Sequence, residues 1–189
     1  GSESLEAAKA YVWSVGISTD PQQQEALMRR AYAIQTAKLP PVSIARAHAE
    51  YNMAFYFLEL TQQPELAEKH LAQAAQIGRK VSSRAHDDVR KFELAWAQTL
   101  NGLGRHRECL DLLSEPPGEP EDTPDAQALS ALRLELAKAA LALQQPAVAR
   151  KEIAAIESLW QRIGKPTPAA LSGTMRAVEA TLGQRADER

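Results

Sequence analysis

A register of small side chains constrains this chain more than any other feature. Ser14, Ala54, Ala97 and Ala137 stand at intervals of 40, 43 and 40 residues. Each is followed by a second small residue: Ala26, Cys109 and Ala149 come 12 positions on, and Ala67 comes 13 after Ala54. Two helices approach closely only where small side chains face each other, so the pattern predicts four helix pairs joined by short turns. Large apolar residues keep the same register: Trp13 and Ile17 about Ser14, Met53 and Phe57 about Ala54, Trp96 and Leu100 about Ala97, Leu136 and Ala140 about Ala137. Trp96 is expected at the centre of the core. In the second helices Ala67, Leu71 and Ala74 match Ala149, Ile153 and Ile156. Arg30 interrupts the first unit, which suits a terminal repeat.

Alanine (34 residues) and leucine (22) dominate the 189 positions, and only nine are glycine, a balance that favours helix over sheet. Proline and glycine punctuate the pattern. Asp20-Pro21 reads as an N-cap followed by proline at the first helical position, as do Gln63-Pro64, Gln145-Pro146 and Thr167-Pro168. Gly183 reads as a left-handed cap closing the last helix. Helices are expected over about 3–17, 21–38, 43–62, 64–81, 84–102, 105–114, 124–144, 146–163 and 168–182. The units are then 3–38, 43–81, 84–114 and 124–163 within one domain spanning 3–183, followed by a tail at 184–189. The acidic, proline-rich stretch Ser114–Asp125, with 115–123 at its heart, reads as a mobile loop. Leu171, Met175, Val178 and Leu182 form one stripe of the last helix, and Arg176, Glu179 and Gln184 the other face. That helix is expected to cap the array.

The segment Trp96-Ala97-x-x-Leu100-x-x-Leu103-Gly104, continuing to Cys109 and Leu113, resembles the tetratricopeptide repeat (TPR). Tyr51-Asn52-Met53-Ala54, continuing through Phe57 and Leu60, resembles it next best. The resemblance covers nearly the whole chain. It implies an all-α solenoid of about four antiparallel helix pairs plus a C-terminal capping helix. The period departs from the family's common 34 residues, being six to nine longer. Longer helices of this kind look like the helical-repeat modules of bacterial signalling and transcription proteins.

Several functions are disfavoured. The net charge of −2 and pI of about 6.1 give no sequence-wide attraction to nucleic acid or anionic membrane. No apolar run is long enough to span a bilayer. Gly1-Ser2 reads as a cloning remnant, which leaves native targeting open, and the single Cys109 fits a reducing, cytoplasmic setting. His48, His70, His86 and His106 form no metal-ligand motif, and neither a phosphate loop nor a nucleophile turn is present. No catalytic residue, metal or cofactor is expected. Asp87-Asp88 reads as a solvated helix start, and Cys109 as a structural thiol in a small-residue position. The basic run Arg79, Lys80, Arg84, Arg90, Lys91, Arg105 and Arg107 reads as a solvated face balanced by Asp87, Asp88, Glu93 and Glu108, with a nucleic-acid-binding face as the alternative.

Four of the ten aromatic residues lie between Tyr51 and Phe57. The TPR resemblance sends Tyr51, Asn52, Phe55 and Glu59 to a concave groove, with Lys91, Gln98, Asn101 and Lys138 in the following units. The alternative for the rings is core. The positions that would carry a carboxylate clamp hold Tyr51, Phe55, Leu94 and Gln98, so binding of a chaperone tail is not expected. The expected role is noncatalytic binding of a peptide or protein surface. A ligand- or peptide-sensing regulatory domain is the alternative, and exposed rings could also serve a homodimer.

Overall fold

The computed structural model describes residues 3–115 and 123–187, apart from the side chains of 123, 124 and 184–187. Among these residues there are nine helices and no strand: α1 (Leu5–Ile17), α2 (Pro21–Lys38), α3 (Ile44–Glu59), α4 (Pro64–Val81), α5 (Asp87–Gly102), α6 (His106–Leu112), α7 (Thr123–Ala142), α8 (Pro146–Ile163) and α9 (Ala169–Asp187). The expected punctuation holds at most ends. The Asp20 carboxylate accepts from the Gln22 N–H at 2.9 Å, and Pro21, Pro64 and Pro146 each occupy a first turn. The Ser43 hydroxyl accepts from the Arg46 N–H at 3.2 Å. Two ends differ. Pro168 lies just before α9, where its carbonyl accepts from the Ser172 N–H, and α9 runs on through Gly183 rather than stopping there. The segment expected as a loop falls mostly outside the described residues, and Thr123–Asp125 already belongs to α7.

The turns between paired helices repeat. Gln62, Gly104 and Gln144 each adopt positive φ (53°, 72° and 58°). One residue further on, a backbone N–H closes the turn: Arg105 onto Leu100, Gln145 onto Ala140, and Gln63 onto Phe57. The third closure spans one more residue than the others, which accounts for the 13-residue interval between Ala54 and Ala67.

The chain divides into two compact units, Gly1–Ser83 and Arg84–Arg189. In the first, α1 packs on α2, α2 on α3, and α3 on α4. Ala54, Ala67, Leu71 and Ala74 are fully buried or nearly so, as the register predicts. The α1–α2 pair departs from it. Its core is Ala8, Ala31 and Ile34, flanked by Tyr11 and Val12. Ala26 is exposed, and Trp13 and Ile17 are 77% and 79% exposed. The pair is closed elsewhere: the Gln24 amide donates to the carbonyls of Val15 (3.3 Å) and Ser18 (2.7 Å). A polar residue that must reach backbone acceptors fixes the α1–α2 register, and the small pair Ser14/Ala26 is left outside.

In the second unit, α5 and α6 pack on α7, and α7 on α8 and α9. Ala97, Leu100, Cys109 and Leu113 form one core cluster with Leu132 and Ala139. Ala137, Ala140, Ala149, Ile153 and Ile156 form another with Met175, Val178 and Leu182 of the capping helix. Leu171 is partly buried against it, while Arg176 and Glu179 face water. Trp96 is only half-buried beside its cluster, and Phe92 is the fully buried ring of α5. α6 has 7 residues against 18 in each of α2, α4 and α8.

Candidate functional site

On α3 the aromatic segment divides between two fates. Met53, Ala54, Tyr56 and Phe57 are buried. Asn52, Phe55 and Glu59 follow one another at helical spacing on another face, where Phe55 is 52% exposed, Glu59 is exposed and Asn52 is half-buried. Tyr51 is half-buried, and burial raises its phenol above the usual range, keeping it neutral. The rings are therefore neither all groove nor all core: Phe55 is the one that water reaches most.

On the opposite, buried side of α3 sits a polar knot that the sequence reading did not assemble. Glu50 is fully buried and accepts from the Tyr32 hydroxyl (2.9 and 3.0 Å), Arg46 Nε (3.2 Å) and His70 Nδ1 (2.8 Å). Arg46 also donates to the Thr36 carbonyl at 3.1 Å. The His70 ring stacks on Phe57 and meets Tyr32 edge-on, each at 5.6 Å. Burial pushes the Glu50 carboxyl up, but the hydrogen bonds from His70, Tyr32 and Arg46 together outweigh it and leave the group below its usual value. Burial first, and then Glu50 itself, raise Tyr32 to about 12. The knot joins α2, α3 and α4 without an unpaired buried charge.

In the second unit, Asn101 and Lys138 come together on Glu135. Asn101 Nδ2 donates to the Glu135 carboxylate (2.9 Å) and carbonyl (3.0 Å), and Lys138 Nζ lies 2.7 Å from the same carboxylate. His106 Nδ1 pairs with Asn101 Oδ1 at 3.1 Å. Lys91 and Gln98 are exposed on α5. Cys109 is fully buried, with Sγ 3.9 Å from the Glu135 carbonyl. Burial, then the Glu135 charge, push its thiol to about 12, the structural state expected from the sequence.

The basic run is only partly a solvated face. Arg84 grips the fully buried Glu93 through two bonds (2.9 and 3.0 Å) and donates to the Leu112 carbonyl at 3.2 Å. Arg90 is buried and ion-paired with Asp125. Arg105–Glu108 is an exposed pair, and Asp87-Asp88 opens α5 as expected, with the His86 ring accepting from the Asp88 N–H.

These partners share a register. Glu50 stands four residues before Ala54 and His70 three after Ala67; Arg133 stands four before Ala137 and Glu152 three after Ala149. The second pair is joined at 2.7 Å with the carboxylate on the second helix of the pair instead of the first. Glu93 stands four before Ala97, and Leu112, three after Cys109, supplies a backbone carbonyl to the same arginine. Each of these helix pairs thus closes on one apolar and one polar position. The signal was present in the sequence, but it is a complementarity of changing residue types, visible only after the helices are paired.

Among the described residues, no group of three or more His, Cys, Asp or Glu side chains is arranged to hold a metal ion, and no helix is long and apolar enough to cross a membrane.

The helices described above, in this order and paired through short turns, form an all-α solenoid fold of the TPR-like helical-repeat class. Solved structures carry the same fold. A variant of a kinesin-light-chain-like protein of Podosopora anserina, built of nearly identical TPR-like repeats, is 18% identical. It superposes with a TM-score of 0.67 over 97% of this chain and 86% of that one. A second structure of that Podosopora anserina protein is 17% identical, with a TM-score of 0.64 over 97% and 87% of the two chains. No protein-family model and no curated protein matches the chain.

Proposed function

We propose that the chain is a noncatalytic interaction scaffold that binds a peptide or protein surface as part of a larger bacterial signalling or regulatory protein. Nucleic acid and membrane are not its targets. The observation that carries this reading is Phe55: a large ring, 52% exposed, set between Asn52 and Glu59 on a helix whose other face is core. Water-exposed aromatic residues framed by polar groups are the usual anchors of protein interfaces. Every large apolar side chain that is exposed among the described residues lies in the first unit. Tyr51, Asn52, Phe55 and Glu59 are the contact residues of that unit, and Lys91, Gln98, Asn101 and Lys138 those of the second.

The test is pull-down with the full-length protein, followed by affinity measurement on the recovered partner. Phe55→Ala should weaken binding at least tenfold, a loss of about 1.4 kcal/mol, with the melting temperature held within about 2–3 °C of wild type. Full affinity in Phe55→Ala, Lys91→Ala and Gln98→Ala, with loss instead in Trp13→Ala, would move the contact to α1.

A further inference from the structure

The second unit contains a recess of about 290 Å³ at the end of α6, between the flanks of α7 and α8. Leu113, the residue that follows α6, walls it on one side. Leu132 and Leu136 of α7 and Ala155 of α8 supply an apolar floor. Its polar side is one ion pair, in which Arg133 Nη1 donates to Glu152 Oε2 at 2.7 Å. The other carboxylate oxygen of Glu152 accepts no hydrogen bond among the described residues. Lys151 is exposed at the rim.

We propose that this recess binds a small, neutral aromatic molecule of one or two rings that carries an N–H or O–H donor. Size sets the first requirement. An apolar cavity of about 150 Å³ already takes a benzene molecule. Nearly twice that volume takes a fused pair of rings or a substituted single ring, and falls just short of the range of about 300–1,000 Å³ usual for larger ligands. The lining sets the second. Arg133 and Glu152 neutralise each other, so a charged group carried onto the leucines would lose its water with no counter-charge to replace it. The open oxygen of Glu152 sets the third. A carboxylate oxygen accepts and does not donate, so the ligand must bring the hydrogen. A ring seated there lies against Leu113 as well as α7 and α8, and so holds the end of α6 in place. The site is separate from the α3 face and does not depend on it.

The experiment is amide-resolved NMR titration of the 189-residue chain with indole, 1-benzofuran and indole-2-carboxylate. Benzofuran keeps the fused rings and lacks the N–H, and the carboxylate adds a charge. Indole is expected to give saturable shifts centred on the amides of 132–136 and 151–155. Benzofuran should bind about tenfold more weakly for want of the donor, and indole-2-carboxylate should not saturate. Saturating indole should slow deuterium exchange of the α6 amides about threefold and leave those of α3 unchanged. Ala155→Leu, which fills the floor, should abolish the indole shifts. The comparison of indole with benzofuran on the wild-type chain holds whether or not that variant folds. Shifts that do not saturate, equal binding of indole and benzofuran, or unchanged exchange in α6 would overturn the proposal. Because Phe55 is untouched, none of these results bears on the α3 contact.

Discussion

Glu50 shows how one residue sets the chemistry of a helix pair. A buried carboxylate is costly unless its oxygens are satisfied, and here three side chains from three helices supply donors. The pH consequence has a definite sign. Tyr32 is raised from 10.0 to about 12 in the folded chain, so its contribution to stability is present below pH 10 and is lost between pH 10 and about 12. Glu50 is lowered, so its contribution is present above the ordinary 4.5 and is lost as pH falls through its folded value. Urea unfolding from about pH 9 to 12 should show Tyr32→Phe losing about 1 kcal/mol less stability than wild type over the alkaline window, since the part-buried phenol is screened by water. Equal alkaline losses would show that the Tyr32 hydroxyl does not titrate against Glu50. At this scale the sequence told only half. Cys109, Ala54, Ala97 and Ala137 could be placed because small buried residues repeat without changing character. Glu50 and His70 could not, because Arg133 and Glu152 hold the same positions with the carboxylate moved to the other helix.

At the scale of elements, helix order was legible, with every end but that of α9 within three residues, because proline, N-cap and apolar period mostly agree. The misreadings occur where two signals compete. Gly183 reads as a helix end, but apolar residues before it keep the period and α9 continues past it. In α1, Trp13 and Ile17 follow the repeat register yet stay exposed, because Gln24 anchors α2 to the end of α1 through backbone carbonyls. The turns carry a prediction of their own. Gln144 holds φ 58° where the α5–α6 turn uses Gly104 at φ 72°. A side chain in that conformation costs about 1 kcal/mol relative to glycine. Gln144→Gly should therefore raise the urea midpoint, by up to about 1 kcal/mol of stability, and Gly104→Ala should lower it by a similar amount. A shift of the same sign in both variants would contradict a shared turn geometry.

At the scale of the whole molecule, the repeat period foretold an all-α array, and the fold agrees along 97% of the chain with TPR-like structures at 18% identity. Such low identity is expected of a fold specified by the spacing of small and large residues rather than by their names. What the period could not show is where contacts concentrate, since the division after Ser83 depends on which faces are used and not on their spacing. Within the second unit, the brevity of α6 has a kinetic consequence. Two turns of helix are too few to persist alone in water. α6 therefore exists only while Cys109 and Leu113 are seated against Leu132 and Ala139. Its amides should exchange with solvent deuterium well before those in the middle of α7, in the order that local opening dictates. Equal protection of the two would mean that they open together. If α6 opens first, the shortest helix among the described residues sets the rate at which Leu100 and Leu132 meet water.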